Sequence, residues 1–218
     1  MKYNLLISIL LLCITIEEKK DYLKEAAHWV DIVYNKVYES GCVHKSPTAK
    51  TFEEIPKIKR ISCSASASIT YQQAGLIEKG KKVSHTQSIG NKDKKSYYDN
   101  SNLKKSLLLS FTHAQNLKKG TCDFVKVMKH YDAMPDWLKQ KGIMYVQDSN
   151  ICVSAGKGKI YSCNSTGKKY GKGGVKVLKT NHKEYALKSL ILWAVVPRTN
   201  GKTNVPENSN FKFLPCGL

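Results

Sequence analysis

The stretch NICVSAGKGKIYSC, from Asn150 to Cys163, limits what the chain can fold into more than any other part of its 218 residues. Two β-prone runs flank the glycine-rich AGKGK, the composition of a hairpin turn. Side chains alternate along a strand, so Ile151 and Val153 face one way in the first arm while Asn150 and Cys152 face the other. Neighbouring segments supply more strands. GTCDFVKVMKHY alternates as a strand does, GIMYVQ precedes the hairpin, and SLILWAVVP is an apolar final strand closed by Pro197. GKKYGKGG reads as a further turn.

Helical spacing comes earlier in the chain. Between Glu17 and Tyr38, the residues Leu23, Ala26, Ala27, Val30, Val33, Val37 and Tyr38 recur at three- and four-residue steps. Gly41 follows as a cap. A second helix is predicted from about Ser64 to Gln73, with Gly75 as its stop. VHKSPTAKTFEEIPKIKR and EKGKKVSHTQSIGNKDKKSYYDNSN read as loops. LKKSLLLSFTHAQNL fits a helix or an apolar strand, and MPDWLKQKG fits a short helix with Pro135 near its first turn. Helices first and strands late predict an α+β fold, with N-terminal helices packed on a central antiparallel sheet. No internal repeat is visible.

The opening MKYNLLISILLLCIT carries one lysine and an apolar run from Leu5 to Ile14. That run is too short to span a bilayer and has the form of a secretory signal. The expected organisation is a signal peptide over 1–15, one domain over 16–197, and a polar tail over 198–218 that is loosely ordered unless Cys216 tethers it. A secreted or lumenal location follows, with no stable membrane span once the signal is removed.

The formal net charge is +19, and Lys2 is the one charged side chain in residues 1–15, so +18 remains without them. Such a charge draws a protein to polyanions: nucleic acid, anionic membrane or an anionic bacterial wall. The lysines are spread thinly, with no dense basic run and no aromatic–basic interleaving, which argues against specific nucleic-acid binding. Of the seven cysteines, Cys13 leaves with the signal. Cys42, Cys63, Cys122, Cys152, Cys163 and Cys216 remain, an even set that suggests pairs in an oxidising compartment. No CxxC pair and no zinc-like His/Cys spacing occurs, so no metal or cofactor is expected. AGKGK lacks the strand and helix that flank a phosphate-binding loop.

ISCSASASITYQQAG, beginning at Ile61, places a thiol at the start of a predicted helix. Such a cysteine is core, half of a disulfide, or a nucleophile, because a helix N-terminus favours the thiolate. A cysteine that opens a helix, followed later by a hairpin able to carry polar partners, is the layout of a papain-like thiol hydrolase. SCSASASITYQQAGL resembles the first block of the NlpC-type cell-wall peptidases and amidases, where Asp-Cys-Ser opens a helix ending in Ala-Gly-hydrophobic. KQKGIMYVQDSNICVSAGKGKIYSC resembles the later block of that family: a Gly-Asp-hydrophobic strand, a loop, a His-hydrophobic strand, a Gly turn and a third strand. VSHTQS takes the place of a family loop that borders the cleft. The likeness runs from about Glu17 to Pro197.

The resemblance implies a papain-like fold, Cys63 as nucleophile, and bacterial peptidoglycan peptides as substrate. It also implies substrate contacts at Ser64 and, on the next arm, at Ser162 and Asn164. Two positions depart from the family. Ser62 stands where it has Asp, and Asn150 stands where it has the catalytic histidine. An amide cannot take a proton at neutral pH, so the base passes to another residue. His85 in VSHTQS is the best candidate, ahead of His113, His130 and His182, with His28 on the first helix. Three readings stay open. The first is a hydrolase using Cys63 and His85. The second has lost its base and binds wall peptides. The third is a scaffold with Cys63 in a disulfide. The first is the leading expectation, with Cys63 unpaired, a bridge among the other cysteines, and Asn150 facing the N-terminus of the Cys63 helix. Asn164 also begins an Asn-Ser-Thr glycosylation sequon.

Overall fold

The computed structural model describes residues 20–40, 48–58, 61–83, 115–147, 150–163, 177–181 and 190–217, with the backbone alone for 177–181. The signal over 1–15, Gly41, His85, His113, Asn164, His182, the GKKYGKGG turn and most of LKKSLLLSFTHAQNL lie outside the described residues.

Helix α1 (Tyr22–Ser40) buries Ala26, Val30, Val33, Tyr34 and Val37 along one stripe. Tyr38, predicted in that stripe, is 59% exposed; it lies one residue beyond Val37, about 100° further round the helix. The loop predicted next holds a 3₁₀ turn at Phe52–Glu54 and a single helical turn, α2 (Ile55–Ile58). Helix α3 (Cys63–Ala74) forms as predicted. Ser62 caps its start, accepting the Ala65 N–H at 3.2 Å. Gly75 closes it at φ +85°, where a side chain would be strained.

Helix α3 is rich in hydroxyls and yet buried, which demands partners for them. Ser66 Oγ donates to the Cys63 carbonyl at 3.0 Å, and Thr70 Oγ1 donates to the Ser66 carbonyl at 3.1 Å. Ser68 Oγ accepts the Val83 N–H at 2.9 Å. The short side chains that satisfy themselves locally also let α3 pack closely on its neighbours.

Seven strands pair among the described residues: β1 (Cys122–Lys129), β2 (Met144–Gln147), β3 (Ile151–Gly156), β4 (Lys159–Cys163), β5 (Val177–Asn181), β6 (Ile191–Pro197) and β7 (Phe213–Pro215). Their order is β5-β4-β3-β2-β6-β1-β7, and every neighbouring pair is antiparallel. The predicted hairpin is β3–β4, with Cys152 opposite Ser162 and Val153 opposite Tyr161. At its tip Lys157 and Gly158 have φ of 51° and 68°; a tight hairpin turn needs positive φ at both central residues.

Alternation divides the strand residues between two layers. Val146, Ile151, Val153, Tyr161, Trp193 and Val195 join the core formed by α1 and α3. Val125, Tyr145, Cys152, Ile160, Ala194 and Val196 pack instead with Tyr131, Met134 and Leu138. Tyr34 stacks on Tyr161 with centroids 4.9 Å apart, and Phe124 stacks on Trp193 at 4.7 Å. Tyr71 ties α3 to the sheet. Its hydroxyl lies 2.9 Å from the carbonyls of Gly142 and Val195, donating its one proton there, and accepts the Met144 N–H at 2.9 Å.

MPDWLKQKG forms the short helix expected as a 3₁₀ helix at Asp136–Lys139, with Pro135 at its N-cap position. The tail differs. Expected to be loosely ordered apart from a Cys216 tether, it closes onto the sheet. Arg198 forks onto the fully buried Asp123, with Nη2 2.7 Å and Nε 3.3 Å from its two oxygens. Val205 is buried in the second layer, and β7 adds to the free edge of β1. The Cys122–Cys216 disulfide then fixes the end.

Candidate functional site

Cys63 opens α3, and its side chain is turned into the core at 1% exposure. Packing with it in that core are Ile61, Ile151, Val153 and Cys163. The thiol is free, as is that of buried Cys152. Cys163 is disulfide-bonded. The expected combination of an unpaired Cys63 with bridges elsewhere is therefore present.

The electrostatics of Cys63 run against the expectation from its helix-start position. Burial pushes the thiol above its ordinary value, because a thiolate loses water on entering the core. The backbone N–H groups of Ile151, Ser64 and Cys63 itself act in the opposite sense, as does the charge of Lys82, and they do not reverse the shift. A helix N-terminus lowers a thiol pKa when the sulfur keeps some contact with solvent. Here desolvation outweighs it.

Asn150 comes one residue before β3 and is 9% exposed. Its side-chain nitrogen donates to Ser162 Oγ at 2.9 Å and to Gln147 Oε1 at 3.3 Å. Ser162 is fully buried on β4. The Gln147 N–H donates to the Asn150 carbonyl at 2.8 Å, closing the link between β2 and β3. Two positions that the resemblance marked out are thus in direct contact with each other, on the hairpin face shared by Cys152, which packs with Tyr131 and Leu138 and not with the α1 and α3 core. The expectation that the Asn150 side chain faces the N-terminus of the Cys63 helix is therefore not met, because alternation turns Ile151, and not Asn150, toward that helix; Cys63 meets the backbone of Ile151.

Ser64 is buried, its hydroxyl 3.1 Å from that of Ser62. Ser62, standing where the family has Asp, serves as the helix cap. His85 and Asn164 are outside the described residues. Sequence reasoning missed Gln147 as a partner of Asn150. The signal was present: Gln147 and Asn150 flank Asp148-Ser149, a turn dipeptide between two strands. It also missed Lys82, a described residue whose charge acts on the thiol, because VSHTQS drew attention to His85.

Chemically, the described site offers a protonated thiol, a bonded amide and two hydroxyls. Asn150 and Ser162 donate and accept hydrogen bonds without changing charge at neutral pH. Among the described residues no group of three or more His, Cys, Asp or Glu is placed to hold a metal ion, and no helix is long and apolar enough to cross a membrane. No protein-family model, curated protein or solved structure matches the chain.

Proposed function

We propose that this is a secreted domain of NlpC-type, papain-like layout that binds bacterial peptidoglycan peptides and does not cut them through Cys63. One observation carries the reading: the thiol that would attack is buried, and its pKa is raised. A thiol nucleophile needs a thiolate or an adjacent base, and Asn150 at the base position of the family is an amide already committed to Ser162 and Gln147. Support for the layout comes from order and packing, since the cysteine-led α3 lies against the β3–β4 hairpin, on the Ile151 and Val153 face. The formal charge of +19 favours an anionic partner.

The test is retention on insoluble peptidoglycan together with a cleavage assay on the same material. The binder is retained, is released as salt rises because much of the attraction is screened, and leaves the peptides whole. Release of peptides by the native chain, lost in Cys63→Ala, would contradict it.

The hydrolase reading keeps one point in its favour: the backbone N–H groups of Ile151, Ser64 and Cys63 favour the thiolate, although burial outweighs them. In that reading His85 is the base, and His85→Ala abolishes cleavage as completely as Cys63→Ala does, while Asn150→His raises it.

A further inference from the structure

Beside α3 lies a pocket of about 360 Å³ that the thiol chemistry does not use. Lys50, Lys81 and Lys82 line it together with Gln72, Ala49 and Ala65. Among its described lining residues are three lysines and no acidic residue. The nearby acids are otherwise engaged: Glu53 pairs with Lys79 at 3.1 Å, and Glu54 accepts the Lys50 N–H at 2.7 Å.

The lysines stand on backbone that the fold holds in place. Gln72 Nε2 donates both to the Lys50 carbonyl at 2.9 Å and to the Lys81 carbonyl at 2.6 Å, joining the two walls. Asn116 Nδ2 donates to the Lys82 carbonyl at 2.7 Å, and Ser68 takes the N–H of Val83 just beyond it. Lysines distant in sequence are thereby brought around one concavity before any ligand arrives, which lowers the ordering cost of binding. Ammonium groups are point charges that suit a compact anion and do not impose the two-pronged geometry of guanidinium. Ala49 and Ala65, both buried, add a small apolar wall.

We propose that this pocket binds a compact aliphatic carboxylate, the group that ends or branches a peptide. A peptide as its source rests on the wall-binding reading; the carboxylate chemistry rests on the pocket alone.

The experiment is an NMR titration of the full chain at low salt with N-acetylalanine, alongside its neutral methylamide and inorganic phosphate. N-Acetylalanine is expected to shift Ala49, Ala65 and Gln72 saturably. Lys81→Gln and Lys82→Gln should each weaken it about tenfold, the loss of one charge-assisted contact. Lys36→Gln, whose lysine pairs with Glu39 on α1, should not. Lys50→Gln provides the same reading should either of the first two variants fail to fold. Equal binding of the methylamide, tighter binding of phosphate, or an equal loss in Lys36→Gln would overturn the assignment. Retention on peptidoglycan is read separately. A chain that binds N-acetylalanine but is not retained contradicts the wall-binding reading and supports the pocket. A chain that is retained but gives no saturable shift contradicts the pocket alone.

Discussion

Asn150 donates its side-chain amide to Ser162 Oγ at 2.9 Å, joining the entry of β3 to the middle of β4. The same nitrogen reaches Gln147 Oε1 at 3.3 Å, so one buried amide fastens three strands. Removing it leaves buried acceptors short of a donor, which costs about 1–3 kcal/mol. Asn150→Ala is therefore expected to lower the unfolding free energy by that amount, read as a lower urea midpoint with an unchanged denaturant slope. An Asn150→Ala chain as stable as the native one would show that the amide is not a structural tie.

Gly142 sits where α1 crosses the sheet, at φ +93°. A Cβ there would lie 2.8 Å from the Ala27 nitrogen and 3.0 Å from the Ala26 carbonyl carbon, both backbone atoms that cannot swing aside. Gly142→Ala must therefore push α1 outward as well as strain its own φ, and it should destabilise by more than about 1 kcal/mol. Its loss should appear in thermal unfolding along with faster amide exchange in α1. Gly80→Ala serves as a comparison, since a Cβ there meets nothing within 4 Å and only the φ strain remains.

The Cys122–Cys216 disulfide spans 94 residues of chain, a long loop whose closure restricts the unfolded state. The double variant Cys122→Ala/Cys216→Ala should lose about 2–5 kcal/mol. Exchange should rise first at β7 (Phe213–Pro215), a three-residue edge strand with few bonds of its own. Unchanged protection of β7 would mean that the Arg198–Asp123 pair and Val205 hold the tail without the bridge.

Alkaline stability follows from the tyrosines. Burial, with Asp31 adding to it, pushes the Tyr161 phenol up to about 12, and burial pushes Tyr71 and Tyr145 up as well. A phenol raised in the folded state favours folding while both states are protonated. That advantage is complete below the ordinary value of 10, and it drains away as pH rises from 10 toward 12, where only the unfolded chain ionises freely. Ionisation of Tyr71, Tyr145 and Tyr161, followed residue by residue by NMR, should therefore accompany unfolding above pH 10. Tyrosinate at any of these three near pH 10 in a chain that stays folded would contradict the burial account.

The hairpin and α3 were legible in the sequence for physical reasons. Ile151 and Val153 mark a period of two, and Ser62 and Gly75 mark the ends of a helix that needs no distant partner to declare itself. What escaped depended on distant partners. Phe213–Pro215 becomes a strand only because Cys216 bonds Cys122 and the edge of β1 is free to pair. Tyr131, Met134 and Leu138 cover a second face of the sheet through 3₁₀ turns whose spacing carries no helical period. At the site, the resemblance picked out Cys63, Asn150 and Ser162 by position. It did not reveal that the thiol enters the core, because desolvation is set by tertiary packing that brings α3 and β3 into one core.

The account turns on the protonation of one sulfur. Alkylation of Cys63 by iodoacetamide, followed by mass mapping from pH 5 to pH 10.5, reads its thiolate fraction directly and separates it from Cys152. The thiol should react slowly at neutral pH, with a rate still climbing tenfold per pH unit at pH 9, which places its pKa above the ordinary 9.0. A rate that levels off below pH 7 would reveal a stable thiolate, and with it a nucleophile that this account denies.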